Sequence, residues 1–428
     1  MLNKIIHTVG SRALMALANL ALLLITTRIM GAEVKGQISL FILNISVLAM
    51  VSGIFSGPSL VYLTPRQQGG SLLFLAYVWS VIVTLSMTAF LHMYGLSAGE
   101  PAIYFVVIGL SECLLAAHLM TLLGKENVKQ HNFIQVLKPF LTVAILLSII
   151  HFRGDRSVLA FLEAYGIATG LAFLVSLYLV LKTQSSFQLD ALRKTISESW
   201  HHGLWIQIGN LAQLLNYRAS YYFLELLTQS DSMALVRIGI YSAAIQIAES
   251  LWLLARSVAT VQYSRVSNIK DRAEALRISI RLIKFNYSVT ALGCLVLALL
   301  PEIFYSSLLG EDFGSVRNLV LLLIPGIIAL SVSNGISHFF AGVGDNRFNA
   351  QASVLGLISS IGVGYFAVFY FSVWGAAVAA SITYVLQTCY QIGLMVHKDG
   401  ISLLGLLVDR SDILEFKAKV KDAVKSSP

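Results

Sequence analysis

The chain reads as long apolar runs separated by short polar breaks. Runs of roughly 20 residues recur, each long enough to cross a ~30 Å hydrocarbon core as a helix. They are too long for barrel strands, and in lipid only helices and closed barrels satisfy every backbone polar group. The pattern predicts spans over 8–29, 38–63, 72–94, 102–123, 132–151, 157–181, 203–228, 235–261, 281–301, 316–341, 349–371 and 374–397. The expected fold is an all-α integral membrane protein of about 12 transmembrane helices, with almost nothing folded outside the bilayer.

Composition agrees with this pattern. The 428 residues are 57% hydrophobic and only 12% charged, too little charge to cover a soluble domain of this size. Cys113, Cys294 and Cys389 lie inside apolar runs without CxxC spacing, so they read as packing residues. The first run is long enough to span and a second follows directly, so no cleavable signal peptide is expected. The net charge of +8 does not point to nucleic acid, because its positions alternate. One set of loops carries Lys4, Arg66, Lys125, Lys129, Lys182, Arg193, Lys194, Arg265, Lys270, Arg272 and Arg347, and also the tail lysines. The other set carries only Arg28, Lys35, Arg153, Arg156, Arg237 and Arg317. Basic loops stay in the cytoplasm, which puts both termini inside.

The longest polar connection, 182–202, divides the spans into two sets of six. It carries Phe187, Leu189, Leu192 and Ile196 among charges, as an amphipathic segment on a membrane surface would. The expected organisation is an N-terminal six-helix bundle (1–181), this cytoplasmic linker, a C-terminal six-helix bundle (203–397) and a basic cytoplasmic tail (398–428). From Asp409 the tail reads either as a basic surface helix or as a solvated disordered segment. A faint repeat supports two pseudo-symmetric halves. Gly124–Leu137 aligns with Gly342–Leu355, each between the fourth and fifth span of its half. Parallel repeats of this kind occur in transporters that alternate access to a central site.

An ionisable residue at a helix centre costs about 2.5–3.5 kcal/mol on insertion scales, so each needs a reason. The cations within spans are Arg12, Lys138, Arg218 and Arg256, and the carboxylates are Glu112, Glu163, Glu225 and Glu249. At 100° per residue several share a face with neutral polar neighbours. Gln207, Asn210, Tyr217, Arg218, Tyr221 and Glu225 fall in one sector of the seventh span, with Gln213 and Asn216 outside it. Gln246, Glu249 and Arg256 share a stripe on the eighth span, Arg12 and Asn19 on the first, and Tyr384, Gln387 and Gln391 on the twelfth. These stripes are expected to face a shared cavity between the halves. The alternative is that the neutral residues are interhelical hydrogen-bond partners, and the carboxylates ion-pair partners of the same cations. Arg12, Lys138 and Arg256 lie toward the cytoplasmic ends of their spans. Such a cavity suits an anionic head group from the cytoplasmic leaflet, held by the four cations. The carboxylates suit a coupling proton or Na⁺, which gains about 2.3 kcal/mol per charge across ~100 mV. His118 and His338 have no second ligand at metal spacing and read as structural.

No GxxxxGK[ST], HExxH, GxSxG or metal-spaced Cys/His cluster occurs, so neither a nucleotide motor nor one of these catalytic sites is indicated. No cofactor or metal is expected.

Four local segments carry a family resemblance. Residues 28–36 (RIMGAEVKG) resemble the connection between the first two spans of polysaccharide-exporting flippases. Residues 237–248 (RIGIYSAAIQIA) resemble their eighth span, 308–313 (LLGEDF) the loop before the tenth, and 373–380 (VWGAAVAA) the start of the twelfth. Together with the twelve-span layout, the chain resembles the polysaccharide and O-antigen flippase branch of the multidrug/oligosaccharidyl-lipid/polysaccharide exporter superfamily along nearly its whole length. The resemblance implies a bacterial inner-membrane protein that moves undecaprenyl-diphosphate-linked oligosaccharide to the periplasmic leaflet by alternating access. It also implies a monomer working beside polysaccharide polymerase or export machinery, with membrane lipids and a lipid-linked oligosaccharide as its partners and no nucleic acid. Many relatives carry R-x-D where this chain has Arg218-Ala219-Ser220, so a role for that aspartate does not carry over. Two other readings stand beside it: a cation-coupled multidrug exporter of the same superfamily, and a polytopic glycan polymerase or ligase.

Overall fold

The computed structural model describes residues 2–66, 69–96, 99–182, 192–228, 230–269 and 271–406. Among these the regular structure is helical, without strands. The helices are α1 (Leu2–Leu24), α2 (Gly31–Ser56), α3 (Pro58–Leu63), α4 (Gly69–Met93), α5 (Ala102–Gly124), α6 (Val128–Arg153) and α7 (Val158–Leu181). They continue as α8 (Leu192–Leu227), α9 (Asp231–Val266), α10 (Arg272–Leu299), α11 (Glu302–Leu309), α12 (Val316–Gly342) and α13 (Asn346–Asp399).

Ten segments are long and apolar enough to cross a membrane by those criteria alone. Two details raise this to twelve crossings. The 54 residues of α13 would run ~80 Å as one rod, far beyond a bilayer. Ser372, at φ 52° and ψ −130°, breaks it into two arms that fold back on each other. Gly375 permits that reversal, because a Cβ there would lie 1.8 Å from the Ala367 carbonyl oxygen. The twelfth crossing is α8, whose polar residues keep it out of the apolar set.

The helices pack in two groups. In the first, α5 packs against α2, α4 and α7, α6 against α7, and α1 against α6. In the second, α13 packs against α8 and α12, and α12 against α9 and α10. The main seam between them sets α2 against α8 and α9. The faint repeat has a backbone counterpart. The α5–α6 and α12–α13 turns each span three residues between helices, and each holds one left-handed residue in the same register, Glu126 (φ 58°) and Gly344 (φ 86°). We call the side that holds these turns the basic face and the opposite side the distal face.

Large apolar side chains face outward along the flanks, including Phe74, Ile82 and Leu85 on α4 and Ile358, Phe366 and Phe369 on α13. Polar groups such as Asn44, Gln387 and Gln391 are buried instead. This inversion of the soluble pattern is what a hydrocarbon solvent requires.

Two expected boundaries move. The second span begins at Gly31 rather than residue 38, because Gly31 (φ +87°) reverses the chain in one residue and helix resumes at once. Lys35, read from sequence as a loop cation, is therefore a helical residue and only 4% exposed. Residues 192–202, expected in a surface linker, form the first turns of α8. Phe187 and Leu189 of that linker lie outside the described residues, as does the tail from residue 407.

Candidate functional site

Near the distal face the two halves meet tightly. Gly36 faces Leu235 so closely that a Cβ would lie 1.8 Å from its carbonyl oxygen, and Gly239 stands in the same relation to Ala32 at 1.9 Å. Two glycines on facing helices let the backbones touch, as small residues do at membrane helix crossings. Polar bonds close the same seam. Ser39 Oγ donates to Ser242 Oγ (2.8 Å), Lys35 Nζ to Gln246 Oε1 (3.2 Å) and the Tyr222 hydroxyl to Asn44 Oδ1 (2.6 Å). Asn44 Nδ2 in turn donates to the Leu96 carbonyl of the α4–α5 connection (2.9 Å).

Toward the basic face α2 stays against α8, where Gly203 approaches Ile54 and the Gln207 amide fills the space beside Gly53 and Gly57. The opposite flank is different. From Gly10 to Leu20 α1 is exposed around most of its circumference, with Arg12 and Asn19 both exposed, whereas Leu23 to Thr27 are largely buried. The molecule is thus closed at the distal face, while α1 keeps much of its surface exposed toward the basic face.

Among the described residues, each half holds a partly buried ion pair between two of its spanning helices. In the first, Lys138 on α6 pairs with Glu112 on α5 and donates to the Tyr165 hydroxyl at 2.9 Å, while Thr169 Oγ1 donates to Glu112 Oε1 at 3.0 Å. In the second, Arg218 on α8 makes a bidentate pair with Glu249 on α9, through Nη1–Oε1 at 2.9 Å and Nη2–Oε2 at 2.6 Å. The Tyr221 ring lies 5.9 Å from the guanidinium carbon. The side chains remain 22% and 14% exposed in the first pair and 21% and 17% in the second, so each is reachable. The guanidinium fork matches a phosphate as well as a carboxylate. An anion arriving at either cation therefore competes with the carboxylate already there.

The remaining candidates sort by position. Gln246 is exposed one turn from Glu249, while Gln207 lies in the seam and accepts from exposed Asn210 (3.1 Å). Tyr217 is half-buried, edge-on to Tyr384 at 5.2 Å, and Tyr221 is buried edge-on to Tyr241 at 5.6 Å. Gln387 and Gln391 do not face a cleft between the halves. They bond inside the second half, Gln387 accepting from Asn216 (2.7 Å) and Gln391 from Ser333 (2.5 Å). Their stripe is the interior of a helix bundle, as are Gln213 and Asn216. Glu163 pairs with Arg153 at 2.5 Å on the surface, away from the other carboxylates. The side chain of Arg256 lies outside the described residues, although its helix is described. His118 joins Tyr77 and Ser176 across α4, α5 and α7 and stacks on Phe173, a packing role. Among the described residues no group of three His, Cys, Asp or Glu could hold a metal.

Glu225 lies near the distal end of α8 with Oε2 buried and without a hydrogen-bond partner, and Glu100 of the α4–α5 connection has Oε1 in the same condition. Burial, opposed by a bond from its own backbone N–H and reinforced by the Glu225 charge, pushes the Glu100 carboxyl up to about 8. Sequence reasoning missed Glu100, which lies in a loop, and Lys35, which it placed in one. For Lys35 the available signal was the absence of any polar break between Gly36 and Asn44 that would end a helix started at Gly31.

No family model matches the chain, and no curated protein sequence matches it. Solved structures do. An inward-facing multidrug resistance MATE family transporter of the MOP superfamily superposes with a TM-score of 0.67 at 12% identity, covering 99% of this chain and 100% of the other. The lipid II flippase MurJ in an inward closed conformation superposes with a TM-score of 0.72 at 12% identity, over 92% and 87%. A MOP superfamily transporter from Pyrococcus furiosus with a binding pocket of reversed polarity gives 0.62 at 15%, over 92% and 95%. At these identities the likeness is one of fold: the chain has the twelve-helix architecture of these multi-pass membrane transporters and flippases.

Proposed function

We propose that the protein is an alternating-access flippase that moves undecaprenyl-diphosphate-linked oligosaccharide from the cytoplasmic to the periplasmic leaflet of a bacterial inner membrane. The shared architecture serves both multidrug exporters and a lipid flippase, so it does not choose between them. The choice rests on the ion pair in each half. A pump for organic cations needs carboxylates free to meet them, whereas Glu112 and Glu249 are each taken up by a cation, and the unpaired carboxylate oxygens of Glu100 and Glu225 are buried near the distal face. A diphosphate can displace either carboxylate, most readily at the bidentate Arg218 site. On this reading the basic face is cytoplasmic, α1 with Arg12 and Asn19 borders the way in, and the glycine-lined seam is the outer gate.

The pairing also bears on coupling. A proton or Na⁺ binding Glu249 frees Arg218 for phosphate, so cation and substrate favour each other at that pair. Exchange of an inward cation for an outward lipid needs the opposite sign. We therefore assign exchange coupling to Glu225 beside Glu100, and treat Glu112 and Glu249 as counter-ions that hold the cations until substrate arrives.

The test is export of the host's surface glycan from cells carrying Arg218→Ala, with insertion checked separately. The variant is expected to accumulate the lipid-linked intermediate and to export none. Normal export from correctly inserted protein would overturn the assignment.

A further inference from the structure

The second half contains a cavity of about 630 Å³ between α8, α12 and the first arm of α13, within the ~300–1,000 Å³ usual for small-molecule sites. It opens toward the basic face. Trp205 and Arg347 stand on that side, and Tyr217 lies at the deep end. Its polar lining is unusual for a membrane bundle, being mostly side-chain amides and hydroxyls. Arg347 is the one charged residue among those lining it, and no carboxylate is present. Asn334 and Asn349 stand on α12 and α13 at the cavity wall, and Asn349 Nδ2 donates to the Ser337 carbonyl (2.9 Å). Side-chain amides and hydroxyls together both donate and accept, so a ligand that fills this space must do the same.

We propose that this cavity binds the first sugars of the transported oligosaccharide. Hydroxyl-rich rings both donate and accept, as the amides and hydroxyls that line it do. An organic cation would find no carboxylate here, and a lipid tail or apolar drug would leave the amides unpaired. The position fits a tethered ligand, because Tyr217 directly precedes Arg218, whose Nη1 lies 3.4 Å from the Tyr217 carbonyl oxygen. Arg218 does not itself line the cavity, so a diphosphate held there would hand its first sugar to the deep end past Tyr217. The aromatic faces of Tyr217 and Trp205 offer apolar surfaces for sugar rings at its two ends. The inference rests on the flippase reading and adds to it a division of labour: Arg218 takes the diphosphate, while Asn334 and Asn349 read the glycan.

The experiment measures binding of two lipids to the purified full chain in nanodiscs: undecaprenyl diphosphate without sugar, and the same lipid bearing the repeat unit extracted from the host. The wild type should bind the sugar-bearing lipid about tenfold more tightly or better, as one to two good hydrogen bonds would give. Asn334→Ala with Asn349→Ala should remove that difference while leaving the affinity for the bare lipid unchanged. If the alanine variant does not insert, Asn334→Ser and Asn349→Ser serve the same comparison in a cavity that stays polar. Equal binding of both lipids by the wild type overturns the proposal, and so does an equal loss for both lipids in the variant. A wild type that binds neither lipid refutes the flippase reading itself, a distinct outcome.

Discussion

The first half sets Lys138 among Glu112, the Tyr165 hydroxyl and, through Glu112, Thr169, so the ammonium is held as a point charge by several partners. The second half gives Arg218 a single bidentate carboxylate, one residue along α8 from Tyr217, which lines a cavity rich in amides. One fold, used twice, thus carries a cation held by several partners and a cation held by one bidentate carboxylate. On the proposed reading, the difference separates holding charge from reading a substrate and assigns selectivity to the second half.

The largest effect expected from this contrast is on transport. Arg218→Ala should abolish it. Lys138→Ala should lower it by roughly ten- to a hundredfold, as loss of one charge-assisted hydrogen bond of about 1.5–3 kcal/mol would. A flux assay of both variants sharpens the contrast, and equal losses would break it. Stability separates the pair from its task. Removing only Arg218 strands Glu249 and should destabilise by up to about 3–5 kcal/mol, less in so far as the pair reaches water. Arg218→Leu combined with Glu249→Leu should recover most of that in thermal unfolding without recovering transport.

Next in size is the seam. Gly36→Leu places a side chain where only 1.8 Å is available, so it should hold the distal face apart. An impermeant thiol reagent added from outside should then label Ser242→Cys strongly, while the same cysteine with Gly36 intact stays protected. A smaller effect comes from Glu100. Its carboxyl titrates at about 8 in the closed seam and near the ordinary ~4.3 once solvated, so closure takes up a proton. The contribution to closure is full below pH ~4 and is lost as pH rises to about 8. Ser242→Cys labelling should accordingly grow between external pH 6 and 8.5, and Glu100→Gln should flatten that dependence. The smallest effect is at Gln391, which bonds Ser333 and Ser337 inside the bundle. Gln391→Leu should cost about 1–3 kcal/mol of stability by orphaning those hydroxyls. Transport should persist, which would confirm that this residue belongs to the packing.

The crossings were legible in the sequence because a hydrocarbon core demands about 20 apolar residues, a constraint that survives almost any packing. The turn repeat was legible too, since Gly124 and Gly342 precede the left-handed residues Glu126 and Gly344. Partners were not. A face at 100° per residue says which side chains share a side, but not which neighbour that side meets. Gln387 and Gln391 share a stripe as expected, yet the stripe faces α8 and α12 inside one half. Glu249 finds its partner on another helix, because the approach of α8 brings Arg218 to it. Lys35 was misplaced because one glycine with positive φ replaced an expected loop. The amide cavity was invisible for a related reason: neutral polar residues that fill space and those that line it have the same sequence signature.

The central claim is that this transporter fold is built here for an anionic lipid head group. The direct measurement is equilibrium binding of undecaprenyl diphosphate and of an aromatic organic cation to the purified chain, each with Arg218→Gln and with Glu249→Gln. The account predicts that the diphosphate lipid binds, that Arg218→Gln weakens it, that Glu249→Gln strengthens it, and that the organic cation does not compete. Binding of the organic cation that Glu249→Gln abolishes, with no affinity for the diphosphate, would contradict the account.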